Sequence, residues 1–343
     1  MLRPVLTCGR ARVQRIGVIG AGAWGTALAQ TAVRAGRDVV LWARDAAVVD
    51  QINRDHLNRE YLPGCPLDPA LVATPDLAAA CEADAVLLVV PAQFLRAVCR
   101  DLAPLWRPGS PAVLCSKGIE LSSGALMTDV VRAELPAGTP LACLSGPSFA
   151  AEVAKGLPTA VTIASDVDGV AEQLVQALGT RTFRPYHSAD LIGAETGGAV
   201  KNVLAIACGI LEGAGLGDNA RAALLTRGLA EITRLGIALG GQPQTFMGLS
   251  GMGDLMLTAT SMQSRNFSLG FALGQGRALA EILAERKAVT EGVATAAAVT
   301  ALARQRGIDM PLCAAVDALL NHGQALPEVI DGLLTRPFRQ EQG

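Results

Sequence analysis

The sequence predicts an α/β protein in which a mostly parallel, Rossmann-type sheet is followed by an all-helical region. From Arg15 to about Arg184, short β-rich apolar runs alternate with alanine-rich segments of helical character. Such alternation is typical of crossover units and parallel sheets. After His187 the β-branched runs end and the segments that follow have a helical period. The length of 343 residues also favours two domains over one.

Composition excludes several classes of protein. Hydrophobic residues make up 50% of the chain and charged residues 17%, which predicts a globular protein with a large core. Because 29 Lys and Arg nearly balance 31 Asp and Glu, no overall basic field favours a nucleic acid or an anionic membrane. Apolar runs such as Ala85 to Pro91 are far shorter than the roughly 20 residues of a membrane span.

Cysteine and histidine usage predicts a cytoplasmic protein without a metal site. The 8 cysteines form no CxxC pair, and none of the 3 histidines has a metal-binding spacing. The first residues lack the apolar core of a secretory signal, so we expect residues 1–14 to form a flexible tail. We expect a dinucleotide-binding domain at 15–187 and a helical substrate-binding domain at 188–335, with Ser188 as the N-cap of the first helix after the boundary.

The first predicted strand, from Ile16, runs into a GxGxxG sequence formed by Gly20, Gly22 and Gly25. Glycines at these positions allow a tight turn, the approach of a pyrophosphate and close contact between helix and strand. A glycine-rich turn without a ligand is the alternative, but the preceding strand and the following helix favour a dinucleotide site.

The second predicted strand ends before Arg44 and Asp45. An acidic side chain at this position usually binds the ribose hydroxyl of NAD, whereas an arginine accommodates the 2′-phosphate of NADP. Arg44 therefore favours NADP(H), although the adjacent Asp45 weakens this interpretation. A solvated arginine and dual use of both cofactors remain open.

Polar residues follow the predicted fifth and sixth strands. Lys117 follows the fifth strand, and Gly146 and Ser148 follow the sixth. Ligands of open parallel sheets lie off the carboxyl ends of the strands, so Lys117 is a candidate to contact an anionic or carbonyl oxygen. A surface lysine and an ordinary turn are the alternatives.

The predicted helical region contains three further groups of polar residues. Lys201 lies in an otherwise apolar helix, where it either extends its ammonium to solvent or has a pKa lowered by burial to a range useful for proton transfer. Ser264, Arg265 and Asn266 form a donor cluster suited to phosphate, but such residues also cap helices. Asp254 ends a glycine-rich turn. A separate turn from Val289 to Gly292 contains Glu291, and helix capping is its default role.

Several motifs together resemble the bacterial-type sn-glycerol-3-phosphate dehydrogenase [NAD(P)+] family. The resemblance covers the chain from Ile16 to about Arg306 and is carried by GAGAWGTALA, LWARD, SKGIE, SGPSFAAEVAKGLPTA, ETGGAVKN, GLSGMGDLMLT and SRNFSLG. Several independent motifs in the right order are far more specific than the glycine loop alone.

The resemblance implies reduction of dihydroxyacetone phosphate to sn-glycerol 3-phosphate with NADH or NADPH, in the cytoplasm and for phospholipid synthesis. It implies that Lys201 exchanges the proton with the substrate oxygen, and we hypothesise that Asp254 and Asn202 hold this lysine in place. A serine is usual in the family where this chain has Ala23, so we expect one phosphate hydrogen bond to be missing, although a backbone amide can still serve there. The implied substrate-binding residues are Lys117, Gly146, Ser148, Lys201, Asp254, Ser264, Arg265 and Asn266, and the implied cofactor-binding residues are Gly20, Gly22, Ala23, Trp24, Gly25, Arg44, Lys117, Ala150, Arg265, Val289 and Glu291.

Two other functions compete with this interpretation. A related two-domain dehydrogenase of a hydroxy acid or ketopantoate would share the fold and a catalytic lysine, but a carboxylate substrate has no evident need for the Ser264–Asn266 cluster. A non-catalytic NADP(H)-binding regulator would not need Lys201 or Asp254. The apolar helical region also makes a homodimer plausible.

Overall fold

The computed structural model describes residues 13–286, 290–338 and 340. Eight strands form one sheet in the order β3-β2-β1-β4-β5-β6-β7-β8, and all neighbours are parallel except β6 and β7. This architecture confirms the predicted mostly parallel sheet. The strands are β1 (Arg15–Ile19), β2 (Asp38–Trp42), β3 (Val72–Thr74), β4 (Ala85–Leu88), β5 (Ala112–Leu114), β6 (Leu141–Ser145), β7 (Thr159–Ala164) and β8 (Phe183–Ser188).

Seven helices are interspersed with the strands, and from Leu191 onward every regular element among the described residues is helical. The first group is α1 (Ala23–Arg34), α2 (Ala46–Asp50), α3 (Leu77–Cys81), α4 (Leu95–Leu102), α5 (Met127–Glu134), α6 (Ala150–Lys155) and α7 (Val170–Leu178). The second is α8 (Leu191–Gly213), α9 (Asp218–Ala238), α10 (Pro243–Phe246), α11 (Asp254–Ala259), α12 (Arg265–Gly274), α13 (Leu279–Ala284), α14 (Glu291–Gln305), α15 (Pro311–Asn321) and α16 (Leu326–Leu334). Short helical turns of other pitch lie at 51–55, 92–94, 103–105 and 249–253.

The N-cap of the first helix after the sheet lies two residues later than predicted. The carboxylate of Asp190 accepts from the amide of Gly193 at 2.9 Å and caps α8. Ser188 is the last residue of β8, and its hydroxyl accepts from the amide of Asp190. The expected Ser188 cap is therefore wrong, because the β8 pairing extends through Ser188.

Helix α8 is the centre of the helical region. By length and composition it could cross a membrane, but 89% of its most apolar window is buried inside the protein, as in the core helix of a soluble protein. Helix α12 packs directly on its backbone: a Cβ atom at Gly209 would collide with the carbonyl oxygen of Phe267, and one at Gly270 with that of Ile206. These glycines let the start of α12 lie beside the middle of α8.

The sheet and the helical region meet at the carboxyl ends of the central strands. Strand β1 pairs with β2 on one side and with β4 on the other, so the strand order reverses between β1 and β4. Ligands of open α/β sheets bind at such a switch point. The residue that ends β6, Ser145, lies directly against Gly198 of α8. The amino-terminal half of α8 therefore faces this edge of the sheet.

Candidate active site

The three glycines after β1 have the three geometries that a pyrophosphate-binding loop requires. Gly20 has a φ of +116°, and a Cβ atom there would lie 2.8 Å from the carbonyl oxygen of Val89. A Cβ atom at Gly25 would collide with the carbonyl oxygen of Gly20, so the helix start packs against the loop. At Gly22, by contrast, a Cβ atom would meet nothing within 4 Å. The loop is thus closed toward the sheet and open on one face.

The open face of this loop is the start of α1. Gly22 is the N-cap and has no side-chain acceptor, so the amides of the first turn are directed at the open face with the positive end of the helix dipole. Ala23 is the first residue of the helix and brings only its backbone amide, while Trp24 is half-buried against the sheet core. These residues fit the pyrophosphate of a dinucleotide.

After β2, the Arg44 side chain is exposed, whereas the Asp45 carboxylate is engaged in a helix cap. The Asp45 carboxylate accepts from the amide of Ala47 at 2.8 Å and caps α2. Arg44 is exposed beside it. Because the capping bond engages Asp45, the side chain best placed to meet the ribose end of a dinucleotide here is Arg44.

The centre of the site is a buried cluster of two lysines and an aspartate. The Asp254 carboxylate accepts from the Nζ atoms of Lys201 and Lys117, one at each oxygen, at 2.6 Å in both cases. Only 1% of the Asp254 side chain is exposed, compared with 7% for Lys201 and 15% for Lys117. The shared carboxylate therefore holds two ammonium groups together where little solvent screens them.

Burial and charge shift the pKa values of this cluster in ways suited to proton transfer. Burial lowers the pKa of Lys201 to about 8, since the desolvation of its ammonium and the nearby Lys117 outweigh the attraction of Asp254. Burial alone would raise the pKa of Asp254, but the charges and hydrogen bonds of both lysines hold it below its usual value. Lys201 can consequently donate or accept a proton near neutral pH, while Asp254 stays ionised.

The hydroxyl oxygen of Thr258 also positions the Lys201 ammonium, and the sequence patterns above did not predict this contact. The Thr258 hydroxyl accepts from Lys201 Nζ at 2.7 Å. Thr258 follows Asp254 by four residues in α11, so both side chains lie on one face of that helix. The i, i+4 spacing of Asp254 and Thr258 is the sequence signal that could have identified it.

Two adjacent glycines of α8 explain how the cluster assembles. A Cβ atom at Gly198 would lie 2.7 Å from Ser145 Oγ and 3.5 Å from Cγ of Lys117. On the preceding residue, a Cβ atom at Gly197 would lie 2.6 Å from the carbonyl oxygen of Ser250 in the turn before α11. The ETGG segment thus lets the sheet edge and the Asp254 turn contact α8 closely, one turn before Lys201.

The loop after β6 completes one side of the cluster. The Gly146 carbonyl accepts from Lys117 Nζ at 3.3 Å and from the Ser148 hydroxyl at 3.0 Å. Ala150 is the first residue of α6, which begins directly after this loop. The structure therefore brings Gly146 and Ser148 to Lys117, as the sequence placed them beside a common sheet edge.

The start of α12 joins α8 through a pair of asparagines. Asn202 Oδ1 accepts from Asn266 Nδ2 at 3.0 Å, and Asn266 Oδ1 accepts from the amide of Gly292. The hypothesis that Asn202 holds Lys201 is therefore wrong, since the Lys201 ammonium donates to Asp254 and Thr258 instead. The reason is the close α8–α12 packing, which puts another carboxamide beside Asn202.

Ser264 and Arg265 lie at the same helix start. The Ser264 hydroxyl caps α12 by accepting from the amide of Phe267 and keeps its own hydrogen for donation. Arg265 is exposed, and its positive charge acts on the carboxyl of Glu291. The capping role is thus confirmed for Ser264, and the donor cluster for phosphate stays a prediction.

Glu291, at the start of α14, links the two regions. Burial raises the pKa of its half-buried carboxyl, which accepts from the amide of Ala92 and lies within the fields of Arg265, Lys117 and Lys201. Thr290 is the N-cap of α14, yet its buried hydroxyl has no partner among the described residues, so it does not make the default capping bond. Val289 lies outside the described residues.

Within the described ranges, no group of three or more His, Cys, Asp or Glu side chains could hold a metal ion. At the centre of the site two ammonium groups instead surround the carboxylate of Asp254.

Comparison with known proteins gives consistent matches across the chain. Residues 15–171 match the family described as NAD-dependent glycerol-3-phosphate dehydrogenase N-terminus, and residues 190–331 match its C-terminus. The glycerol-3-phosphate dehydrogenase [NAD(P)+] of Rhodospirillum rubrum is 62% identical over 332 residues, which are 96% of this chain and 95% of that protein. The enzyme of the same name from Parvibaculum lavamentivorans is 57% identical over 96% of this chain and 98% of its own length.

Solved structures give the same result. The crystal structure of glycerol-3-phosphate dehydrogenase from Coxiella burnetii is 40% identical, with a TM-score of 0.90 over 94% of this chain and 99% of that one. A D-mandelate dehydrogenase with NADH has a TM-score of 0.62 over 90% of this chain and 98% of its own, but at 16% identity it shares the fold alone. The chain therefore belongs to the NAD-dependent glycerol-3-phosphate dehydrogenase family.

Proposed function

We propose that the protein is an NAD(P)-dependent oxidoreductase that reversibly reduces dihydroxyacetone phosphate to sn-glycerol 3-phosphate and so supplies glycerophospholipid synthesis. The observation that carries this proposal is the buried Lys201–Asp254–Lys117 cluster beside an open glycine loop, in a chain of this family. The cluster has a proton donor with a lowered pKa and a fixed anion that keeps it oriented.

Lys201 is the proton donor in the reductive direction. When bound, a nicotinamide cofactor would supply the hydride for the substrate carbonyl carbon. Lys201 then gives its proton to the oxygen as negative charge develops there, and Lys117 stabilises that charge electrostatically. Asp254 and Thr258 hold the Lys201 ammonium in one orientation, and Asp254 stays ionised throughout. In the oxidative direction neutral Lys201 accepts the proton.

The charge balance of the site favours a phosphorylated substrate. Lys117, Lys201 and Arg265 supply three positive charges against the carboxylates of Asp254 and Glu291. We assign the phosphate to Arg265, with donors from Ser264 and Asn266, because a guanidinium matches phosphate oxygens and the amide of Asn266 has a second N–H to donate. Binding energy from this remote group would orient the carbonyl carbon toward the cofactor.

The proposed cofactor-binding residues lie along the edge of the sheet where the parallel strands end. Gly20, Gly22 and Gly25, with the amides of Ala23 and Trp24, would hold the pyrophosphate, and Arg44 would favour NADP(H) over NAD(H) through the 2′-phosphate. Lys117, Ala150, Arg265 and Glu291 would hold the cofactor toward its nicotinamide end.

The wider organisation is also part of this proposal. The chain divides into domains at 15–187 and 188–335, and the enzyme acts in the cytoplasm on a small molecule. It forms a homodimer, a proposal supported by an apolar groove of about 330 Å³ between α8, α9, α15 and α16 whose lining includes Ile210, Leu319 and Ile330. Light scattering after size-exclusion chromatography measures this directly, and a mass of one chain at micromolar concentration would refute the homodimer.

One assay tests the reaction itself. Purified protein is mixed with NADPH or NADH and dihydroxyacetone phosphate, and the nicotinamide absorbance band is followed. Loss of the band with dihydroxyacetone phosphate, but not with ketopantoate or a 2-keto acid, supports the proposed substrate. Turnover only with a keto acid, or none with any substrate despite cofactor binding, would refute it.

A further inference from the structure

The segment from Val90 to Arg96, here called the β4–α4 turn, contacts the Lys117 loop, residues 116–121, along nearly its whole length. The Ser116 hydroxyl donates to the carbonyl of Val90. A Cβ atom at Gly118 would lie 2.8 Å from Cβ of Ala92, so the loop backbone packs directly on the turn.

Gln93 makes a two-point contact with the same loop. Its Nε2 donates to the carbonyl of Ile119 at 2.8 Å, and its Oε1 accepts from the amide of Leu121 at 3.0 Å. The side-chain amide thus binds the backbone on both sides of Glu120, as a neighbouring strand would. Gln93 is itself exposed, so this contact contributes little to the core.

Arg96 holds the intervening residue. Its Nε and Nη2 donate to the two carboxylate oxygens of Glu120 at 2.8 and 2.7 Å, in the bidentate geometry that is strongest for this pair. Glu120 is 5% exposed, and the hydrogen bonds from Arg96 lower the pKa of its carboxyl. The ion pair therefore persists across the neutral pH range and fixes the loop three residues after Lys117.

The Lys117 side chain bonds in a different direction from the rest of its loop. Its ammonium donates to Asp254 of the helical region and to the Gly146 carbonyl. A lysine has four rotatable side-chain bonds, so the position of its ammonium depends on where its backbone lies as well as on its partners Asp254 and Gly146. An error of about 1 Å at a catalytic group can cost on the order of a hundredfold in rate.

We propose that Gln93 and Arg96 are positioning residues, which aim Lys117 at Asp254 and the reacting oxygen by clamping residues 119–121 of its loop. The inference rests on the proposed function, because it assigns the effect to Lys117 acting in the reaction. Gln93 and Arg96 act through the loop, and we expect them to touch neither substrate nor cofactor.

The test is a double-mutant cycle with Gln93→Ala and Lys117→Ala, read as kcat/KM for dihydroxyacetone phosphate. In the wild-type background Gln93→Ala should lower kcat/KM about tenfold, since the loop loses both backbone contacts. In the Lys117→Ala background the same change should have no further effect, because residues that act through one group are not additive. Arg132→Ala is the control: it lies in α5, is exposed and donates to Asp129 and Asp166, outside the contacts of Gln93 and Arg96, so it should leave both rates unchanged.

A pH profile separates positioning from a loss of folded protein. The charged groups that act on Lys201 are Asp254, Lys117 and Glu291, and Lys117 is one that lowers its pKa. In Gln93→Ala, displacing Lys117 should therefore raise the pKa of Lys201. The reductive rate should then fall at a higher pH than in the wild type. A smaller folded fraction would scale the whole curve without moving it.

The outcomes are distinct. An unaltered rate in Gln93→Ala, or a second tenfold loss in the Lys117→Ala background, overturns the positioning role while the proposed function stands. A wild-type protein that does not reduce dihydroxyacetone phosphate refutes the proposed function and this inference with it.

Discussion

Replacing Asp254 with asparagine tests the electrostatic account of the site, because it keeps the shape of the side chain and removes the charge that two buried lysines share. Each lysine Nζ lies 2.6 Å from an Asp254 oxygen. An opposite charge at such distances typically shifts a pKa by about 1–3 units, so the pKa of Lys201 should fall from about 8 to roughly 6. At pH 8 its protonated fraction then falls from about one half to about one in a hundred, and reduction should slow roughly 50-fold.

The assay is the initial rate of dihydroxyacetone phosphate reduction as a function of pH. Because the reductive direction needs protonated Lys201, the wild-type rate should fall as the pH rises through about 8. In Asp254→Asn the rate should fall at a pH about two units lower than in the wild type. Thr258→Val is the matched control, since it removes a hydrogen bond to the same ammonium but no charge, and the pH at which its rate falls should change far less.

The oxidative direction gives an independent check. It requires neutral Lys201, so the rate of glycerol 3-phosphate oxidation by Asp254→Asn should begin to rise at lower pH than in the wild type. A reductive rate that falls at the same pH as in the wild type or at a higher one, in a variant that folds and binds cofactor, would refute the assignment of this fall to Lys201.

Four further predictions follow from individual contacts. Lys201→Ala should lower kcat by on the order of 10²–10⁴-fold with cofactor binding retained; near-normal single-turnover rates by stopped flow would exclude its proton-transfer role. Arg265→Ala should reduce kcat/KM mainly for the phosphorylated ketone, and an equal loss with unphosphorylated dihydroxyacetone would show that the phosphate lies elsewhere. Arg44→Ala should weaken NADPH binding about tenfold or more and leave NADH nearly unchanged, as measured by fluorescence titration. Glu195 of α8 is buried, and its carboxylate accepts from the amide and the hydroxyl of Thr128. Burial raises the pKa of Glu195 to about 7, so its contribution to stability is fully present below about pH 4.5 and is lost as the pH rises through about 7. Glu195→Gln should flatten the pH dependence of the free energy of urea unfolding over this range, and an unchanged slope would contradict this prediction.

The fold class and most of the candidate site were predictable from local patterns in the sequence. The change from alternating β-rich runs to helical periods near His187 matches the end of the sheet at Ser188, because each element must bury one face with its own period. The glycine loop was readable for a similar reason, since its requirements are met within six residues. Motifs at the ends of β5 and β6 could be placed at one edge because parallel strands end together.

The tertiary structure alone decided which polar groups pair. Lys117, Lys201 and Asp254 come from a strand end, a helix and a separate turn, and their shared carboxylate depends on the close contacts at Gly197 and Gly198. Asn202 bonds to Asn266 and not to Lys201 for the same reason. A hydrogen bond depends on tenths of an ångström between segments far apart in the chain, whereas periodicity and turn chemistry reside within a few residues, so the sequence determined the elements and their motifs and the packing determined the partners.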